Sequence, residues 1–371
     1  MNRDIYDLSQ KPLKLLSTRV WRTYTGGRLI DELQRKEIAK DTFFPEDWVA
    51  SLVIANNPGR EHITEGLSEF EDGGKKFILK DVLSKAPIAF LGENHVRKYG
   101  SNTGVLVKML DSAERLAIQV HPDNETAIKL FNSPYGKTEA WYIIGGREIN
   151  SERPYVLFGF KPGITREKWK RVFDEQNIDE MLDCLHKFYV NPGDTFLIEG
   201  GLPHAIGPGC FMVEIQEPTD YTIRTERITP RGYKVPDMSV HQGAGFDKIF
   251  DCFHYDGLTR KEVEARWLIK PEIAIATENE KIYNLISKKH TDKFSMDLIE
   301  IGGEITLDKQ DTFSVLVNLS GDGLIKYNGG ETYINQGEQF FLPYNMGTIN
   351  ILNKGKGLLK IIRCFAPEAK D

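Results

Sequence analysis

Residues 191–207 read NPGDTFLIEGGLPHAIG. The apolar run Thr195–Ile198 follows an Asn-Pro-Gly-Asp turn signal, and a second glycine- and proline-rich cluster separates it from His204. Residues 335–342, NQGEQFFL, share Asn, Gly, an acid, Phe and an aliphatic residue with residues 191–198 in register. Such a match can arise by chance in glycine-punctuated β proteins, but it can also mark two copies of one β unit.

Short alternating segments, separated by Gly, Asn, Asp and Pro, outnumber helical ones along the chain, which is typical of a sandwich or closed barrel of strands. Residues 165–188 are the exception, because Thr165 can cap a helix and apolar residues then recur at helical intervals. We expect helices there, broken near Asn177, with His186 at the C-terminal end. The other local predictions are helices at Asn124–Phe131 and within Leu29–Ala39, and an exposed loop over residues 66–76 (GLSEFEDGGKK).

Four potential metal ligands are dispersed in strand-like segments. They are Gln119 and His121 in LAIQVHPD, Glu139 in GKTEAWYI and His204 in GGLPHAIG. If residues 116–121 form a strand, Gln119 and His121 point one way while Leu116, Ile118 and Val120 point the other, and the same alternation puts Lys137 beside Glu139.

Two imidazoles, a carboxylate and an amide oxygen suit Zn²⁺ best, although Mn²⁺, Fe²⁺ and Co²⁺ accept similar donors. The alternative is structural: His121 could cap a turn before Pro122, and His204 could lie in an ordinary hairpin.

The segments QVHPD, GKTEAWY, PGDTFLIEGGLPHAIG and VEIQEPTDYTIR resemble successive signatures of the class I mannose-6-phosphate isomerases, which are zinc cupins. The resemblance runs from about Thr103 to Arg227. It implies that Gln119, His121, Glu139 and His204 hold the metal. The sequence departs from the family at WRTYTGGRL, where relatives usually show a Trp-Gly-Gly turn, and at Ala117, where many carry serine.

The resemblance also implies active-site roles for Lys137, Glu214, Asp220 and Arg224. Alternation puts Glu214 on one face of CFMVEIQ with Met212 and Gln216, and it aligns Asp220 with Arg224 in DYTIR.

The expected reaction is zinc-dependent interconversion of mannose 6-phosphate and fructose 6-phosphate through an enediolate. Glu214 is the leading acid/base candidate, and Lys137 assists ring opening or holds an anion. Asp220 moves protons or orients Arg224, and Arg224 either stabilises the enediolate or binds phosphate.

The repeat and the resemblance together predict a mainly β protein of two cupin-type barrels or sandwiches, with a few helices packed on the N-terminal one. Residues 1–250 form the predicted catalytic domain, with the helical insertion near 165–188, and residues 251–371 form the second domain. When the two copies of the repeat are aligned, the residue six positions after Ile198 is His204, whereas the residue six positions after Leu342 is Thr348. The C-terminal domain is therefore expected to be metal-free.

Composition narrows the function classes. The 371-residue chain carries 48 basic and 54 acidic residues, a formal net charge of −6 that argues against nucleic-acid binding. No signal-peptide core or membrane-length apolar stretch is present, so we expect a cytoplasmic protein without a membrane partner, acting on a small sugar phosphate.

The four cysteines lack CxxC spacing and are expected to be buried free thiols.

Two other functions remain open on this sequence. The same metal-binding shell could serve a cupin oxygenase, or an isomerase for another sugar, because fold and ligand set do not fix the reaction. A cupin that only binds a sugar phosphate, without turnover, is the third possibility.

Overall fold

β-Strands make up most of the regular structure, as the alternating apolar pattern predicts. The computed structural model describes residues 3–57 and 59–369. The earlier strands are β1 (Leu13–Lys14), β2 (Arg19–Val20), β3 (Glu46–Val49), β4 (Glu69–Asp72), β5 (Lys75–Ile78), β6 (Leu106–Asp111), β7 (Gln119–Val120), β8 (Glu139–Gly146), β9 (Tyr155–Phe160), β10 (Leu185–Tyr189), β11 (Thr195–Ile198), β12 (His204–Ile206), β13 (Cys210–Gln216) and β14 (Ile223–Arg224). The later strands are β15 (Leu268–Ile269), β16 (Glu272–Ala276), β17 (Glu280–Ile286), β18 (Ser295–Ile301), β19 (Glu304–Leu307), β20 (Ser314–Ser320), β21 (Gly323–Tyr327), β22 (Gly330–Ile334), β23 (Gln339–Leu342), β24 (Ile349–Asn353) and β25 (Leu359–Phe365).

The helices are short and concentrate in the first 270 residues. They are α1 (Arg3–Leu8), α2 (Arg28–Leu33), α3 (Leu79–Lys85), α4 (Pro87–Leu91), α5 (Glu93–Tyr99), α6 (Asn124–Phe131), α7 (Arg166–Glu175), α8 (Ile178–Asp183), α9 (Asp237–His241) and α10 (Arg260–Trp267). In the described part of the chain, 3₁₀ helices span Ile249–Cys252 and Tyr344–Met346. Among the described residues, none of these helices is both long and apolar enough to cross a bilayer.

The strands form antiparallel sheets arranged as two sandwiches. In the N-terminal part, a large sheet runs β15-β11-β8-β13-β6-β3-β2 and a small sheet runs β10-β9-β12-β7-β14. In the C-terminal part, a large sheet runs β1-β23-β20-β25-β18-β17-β16 and a small sheet runs β19-β24-β21-β22. These are open sheets, so the mainly β, cupin-type prediction is confirmed as sandwiches and not as closed barrels.

The buried residues explain why the sheets face each other. In the C-terminal part, Ile299, Leu316 and Phe340 of the large sheet pack in one cluster with Ile325 and Ile351 of the small sheet. Burying apolar side chains between two sheets supplies most of the stabilisation of such a layer.

The helices of the predicted insertion pack on the outer face of the N-terminal small sheet. Trp169 and Phe173 of α7 join the same buried cluster as Ile118 and Val120 beside β7. Thr165 caps α7 by accepting a hydrogen bond from the Lys168 amide at 3.2 Å.

Two local predictions at this insertion had opposite outcomes. The break near Asn177 is confirmed, because Asn177 caps α8 by accepting from the Glu180 amide. The predicted helical end was wrong, because Leu185–Tyr189 is strand β10. His186 therefore does not lie at a helix terminus, and its Nε2 lies 2.9 Å from the carbonyl of Leu258.

The remaining local predictions concern two helices, one loop and the state of the cysteines. Helix α6 spans the predicted Asn124–Phe131, and α2 covers part of the predicted Leu29–Ala39. The expected loop at residues 66–76 instead contains the β4–β5 hairpin, because Phe70 is buried and stacks on Phe77 despite the surrounding acids and glycines. The four cysteines are buried and free, as expected.

The predicted strand over residues 116–121 is shorter than expected, since β7 covers only Gln119–Val120. Ile118 and Val120 point into the cluster under the helices. Leu116 was predicted to point the same way, but it lines the cavity described below. It lies outside β7, so its side chain does not follow the alternation of the strand.

The repeated sequence forms the same local structure twice. In the first copy the Asn191 amide donates to the Asp194 carboxylate at 2.8 Å, and in the second the Asn335 amide donates to Glu338 at 2.8 Å. Each turn then leads into a strand, β11 or β23. The proposed domain division at residue 250 stays a prediction, and β15 at Leu268–Ile269 pairs with β11 in the N-terminal large sheet.

Candidate metal centre

The candidate ligands come from both sheets of the N-terminal sandwich. In the small sheet, Gln119 on β7 pairs with His204 on β12 and with Arg224 on β14, so the three side chains share one face. His121 follows β7 directly. Glu139 begins β8 of the large sheet. Within the small sheet alone, strand pairing brings Gln119 to His204 across 85 positions.

The two histidines and the glutamate lie at distances that fit a metal ion. His121 Nε2 is 3.2 Å from Glu139 Oε2, and His204 Nε2 is 3.5 Å from Glu139 Oε1. Bonds of 2.0–2.1 Å in a tetrahedral site would separate two ligand atoms by about 3.3 Å. The group of three is buried, and its ligand atoms lie within 4.8 Å of one another.

Backbone carbonyls fix the orientation of both imidazoles. His121 Nδ1–H donates to the carbonyl of Tyr221 at 2.8 Å, and His204 Nδ1–H donates to the carbonyl of Leu202 at 2.9 Å. Each ring therefore presents the lone pair of Nε2 to the site, which is the usual arrangement of metal-ligating histidines.

The protonation states of the site also suit a metal. Burial, reinforced by the charge of Lys137, lowers the pKa of His121 to about 3, and burial likewise lowers the pKa of His204. Burial would raise the pKa of Glu139, but the charge of Lys137 outweighs it and holds that pKa well below its usual range. Neutral imidazoles and an ionised carboxylate are the forms that ligate metals.

One buried oxygen and one ammonium group indicate that this site favours a cation. Glu139 Oε2 is buried, and no hydrogen bond of standard geometry from the described residues reaches it. The Lys137 ammonium compensates its charge, since Nζ lies 3.1 Å from that oxygen and 2.8 Å from His121 Nε2. A positive charge thus lies where these donor atoms converge, and a metal ion bound there would provide the same compensation.

Gln119 lies at the edge of the group. Its Nε2 is 3.1 Å from His204 Nε2, so the amide nitrogen and not the oxygen faces the site. A half-turn of the amide would bring Oε1 to the same place, since the two ends of the group are nearly equal in size.

A polar cavity opens beside the ligand group, and Gln119, Lys137, Glu214, Asp220 and Arg224 all line it. The structure therefore brings all four predicted catalytic residues together next to the predicted ligands. Their chemical roles stay predictions.

A buried chain of alternating charges lines the cavity. Arg22 lies 3.1 Å from Asp220 and 2.9 Å from Glu46. Lys108 lies 3.9 Å from Glu46 and 3.2 Å from Glu214. Because each charge contacts an opposite one, the chain Asp220–Arg22–Glu46–Lys108–Glu214 can be buried without isolated charges.

Sequence reasoning did not identify Arg22, Tyr24, Glu46 or Lys108. Tyr24 donates to Glu46 at 2.6 Å, and like Arg22 it comes from WRTYTGGRL, where the chain departs from the family pattern. Lys108 did leave a signal, since a single lysine in the apolar strand VLVKML must find a buried partner.

The pKa values of the acid/base candidate Glu214 and of Asp220 are shifted in opposite directions. Burial and the charge of Glu139 raise the pKa of Glu214, although Lys108 opposes them. Burial would also raise the pKa of Asp220, but Arg22 and Lys108 outweigh it and lower that pKa. Two carboxyl groups with diverging pKa values can hold different protonation states, which is useful for proton transfer.

Arg224 has no carboxylate within ion-pair distance among the residues that the structure describes. Its guanidinium donates to the carbonyls of Ser239 at 2.8 Å and Thr222 at 3.3 Å. Burial lowers its pKa to about 10, which leaves the group charged at neutral pH. This cation at the cavity wall is thus available to a negatively charged ligand.

Comparison with known proteins points to one family. The model of the phosphomannose isomerase type I catalytic domain matches residues 61–139, and that of the mannose-6-phosphate isomerase cupin domain matches residues 286–365. The chain is 29% identical over 250 residues to a probable mannose-6-phosphate isomerase, GmuF, of Bacillus subtilis, covering 67% of this chain and 71% of that protein. It is 25% identical over 285 residues to the mannose-6-phosphate isomerase ManA of the same organism, covering 75% and 82%.

Solved structures share the fold over nearly the whole chain. The crystal structure of the mannose 6-phosphate isomerase from Bacillus subtilis superposes with a TM-score of 0.73 at 21% identity, covering 96% of this chain and 99% of that one. A zinc-bound mannose 6-phosphate isomerase gives a TM-score of 0.73 at 15% identity, covering 96% and 100%.

Proposed function

This chain belongs to the class I mannose-6-phosphate isomerase family, an aldose–ketose isomerase family, and from that premise we propose that it interconverts mannose 6-phosphate and fructose 6-phosphate with Zn²⁺. The observation that carries the proposal is the position of Arg224 and Glu214 beside the buried His121–Glu139–His204 group. A cation for an anionic substrate and a carboxyl group for proton transfer thus adjoin a set of metal ligands.

The charge of the cavity supports a phosphorylated substrate. Its cationic lining residues are Arg22, Lys108, Arg115, Lys137 and Arg224, and its acidic lining residues are Glu46, Glu114, Glu214 and Asp220. Arg22, Lys108, Arg115 and Lys137 each have a carboxylate within ion-pair distance. Arg224 has none among the described residues, so its guanidinium is the cation left to bind a phosphate monoester, which carries about −1.5 to −2 at pH 7.

We assign Zn²⁺ to His121, Glu139 and His204, with Gln119 as a fourth ligand after its amide turns. When bound, the ion supplies Lewis-acid stabilisation of negative charge on the sugar oxygens, without any change of redox state.

The protein's own groups would move the protons. Isomerisation takes a proton from the carbon beside the carbonyl and returns one to the neighbouring carbon, through an enediolate. Glu214 suits this exchange because its raised pKa lies closer to neutrality. In this proposal Asp220, which pairs with Arg22, exchanges hydroxyl protons, and Lys137 assists ring opening or holds an oxygen anion.

The proposal is tested by an assay of fructose 6-phosphate formation from mannose 6-phosphate, on chelator-stripped protein before and after zinc is restored. We expect turnover only after zinc addition. Stoichiometric zinc without turnover would reject this substrate and favour another sugar or a binding protein. Oxygen uptake by the Fe²⁺-loaded chain would instead favour an oxygenase.

The pH profile gives a second prediction. Because Lys108 lowers the pKa of Glu214, Lys108→Met should raise that pKa, and the acidic limb of kcat/KM should move to higher pH. The direction follows because a base loses activity as pH falls through its pKa. Glu214→Gln should remove the limb.

Lys98→Met is the matched control, since Lys98 is exposed on α5. Coincident profiles for Lys108→Met and the unmodified protein would contradict Glu214 as the base.

A further inference from the structure

The loop that carries His204 is held against the loop that carries His121 through a third segment. The Gly201 amide donates to the carbonyl of His121 at 2.7 Å, and the His254 amide donates to the carbonyl of Gly201 at 2.8 Å. His254 Nε2 lies 2.9 Å from Asp123 Oδ2, two residues after His121. These contacts close a ring through His121, Gly201, His254 and Asp123.

We propose that the His254–Asp123 pair is a clamp that positions the two ligand-bearing loops and thereby slows metal release. The inference rests on the proposed metal site, and it adds residues that bind neither metal nor substrate. Their role is to fix the distance between the backbones that carry His121 and His204.

The packing around Gly200 and Gly201 shows how closely the clamp fits. Gly201 has φ +88°, and a Cβ there would lie 2.5 Å from atoms of the His254 ring. A Cβ on Gly200 would lie 2.6 Å from the Cα of Asp123. The ring of His254 therefore covers Gly201 directly, while Gly200 lies against the Asp123 backbone.

Asp123 is itself fixed on the side away from His254. Its Oδ1 accepts a hydrogen bond from the Thr126 amide at 2.7 Å and so caps α6. One oxygen thus anchors the aspartate to a helix while the other holds the histidine. Displacement of the His204 loop would have to break the His254 contact or move α6.

The exposure of His254 separates a positioning role from a catalytic one. The side chain of His254 is 47% exposed. It is absent from the lining of the cavity that contains Arg224 and Glu214. His254 acts on the metal site only through Asp123 and Gly201.

The test compares zinc-loaded chains carrying His254→Ala or His254→Gln with the unmodified chain. Release of zinc to the chromogenic chelator 4-(2-pyridylazo)resorcinol is followed by absorbance. We expect His254→Ala to release zinc about tenfold faster, the lower end of the effect of removing an outer partner of a metal site. Glutamine can still donate to Asp123, so His254→Gln should release zinc at close to the unmodified rate.

Glu272→Gln is the matched control, because it removes another exposed ion pair, Lys289–Glu272 at 2.6 Å, in the C-terminal part. It should leave zinc release unchanged. Equal rates for His254→Ala and Glu272→Gln would overturn the clamp, as would a His254→Gln rate as fast as that of His254→Ala.

A second measurement needs no metal. Hydrogen–deuterium exchange of the zinc-free chains should be faster in His254→Ala over residues 118–126 and 198–206, with other segments unchanged. Unchanged exchange there would contradict the clamp, whereas an unmodified chain that takes up no zinc would contradict the proposed function. The two failures are therefore distinguishable.

Discussion

Replacement of His121 by alanine is expected to remove bound zinc and to lower kcat/KM at least about a thousandfold, because Lewis-acid stabilisation is worth several kcal/mol. His121 is buried, and its Nε2 lies 3.2 Å from Glu139. Its loss leaves two of the three clustered ligands and a cavity where the ring stood. The measurements are zinc per chain by atomic emission and the isomerase assay with mannose 6-phosphate.

Loss of folding must be separated from loss of the metal. Circular dichroism and chemical denaturation of His121→Ala check the fold, and His204→Ala tests the same site from the other sheet. His290→Ala is the control, since His290 lies in the C-terminal part and contacts Ser287. Full activity of metal-free His121→Ala would reject the proposed site.

Replacement of Arg224 by alanine is expected to leave one zinc per chain and to lower kcat/KM roughly a hundredfold, the lower range for loss of one donor to a developing anion. The guanidinium lines the cavity and bonds to the carbonyls of Thr222 and Ser239, without a carboxylate partner among the described residues. Its removal should therefore affect the substrate and not the metal ligands.

The kinetic constants separate the two roles left open for Arg224. If it binds phosphate equally in substrate and transition state, KM rises and kcat stays constant. If it stabilises the enediolate, kcat and kcat/KM fall together. Arg224→Lys keeps the charge but loses the paired donors, so partial recovery would indicate that charge matters more than geometry.

Arg231→Ala is the matched control for Arg224→Ala. Arg231 is an exposed arginine paired with Glu114 at the cavity wall, 2.9 Å away. Its replacement should change kcat/KM much less. Unchanged kinetics of Arg224→Ala would remove Arg224 from the active site.

Local sequence signals predicted the local structure well where one dominant interaction decides it. Thr165 caps α7 as predicted, and the predicted break between the two helices lies at Asn177. The turns at residues 191–194 and 335–338, each with Asn, Gly and an acid, form the same hydrogen bond twice. The signal failed where burial outweighed composition. Phe70 is buried in a hairpin that its acidic and glycine neighbours had suggested would be a loop.

The sequence by itself determined the fold class and the candidate ligand set, because alternation and turn residues act over a few positions and the ligand segments keep family spacing. Only the tertiary structure decided which charged side chains form ion pairs. Arg22 contacts Asp220 across 198 positions, and His254 contacts Asp123 across 131. Such pairs depend on strand register and loop packing, which bring distant segments together. Residue identity alone does not distinguish a buried charged side chain from an exposed one. The partners of a buried charge come within contact distance only when the sheets pack.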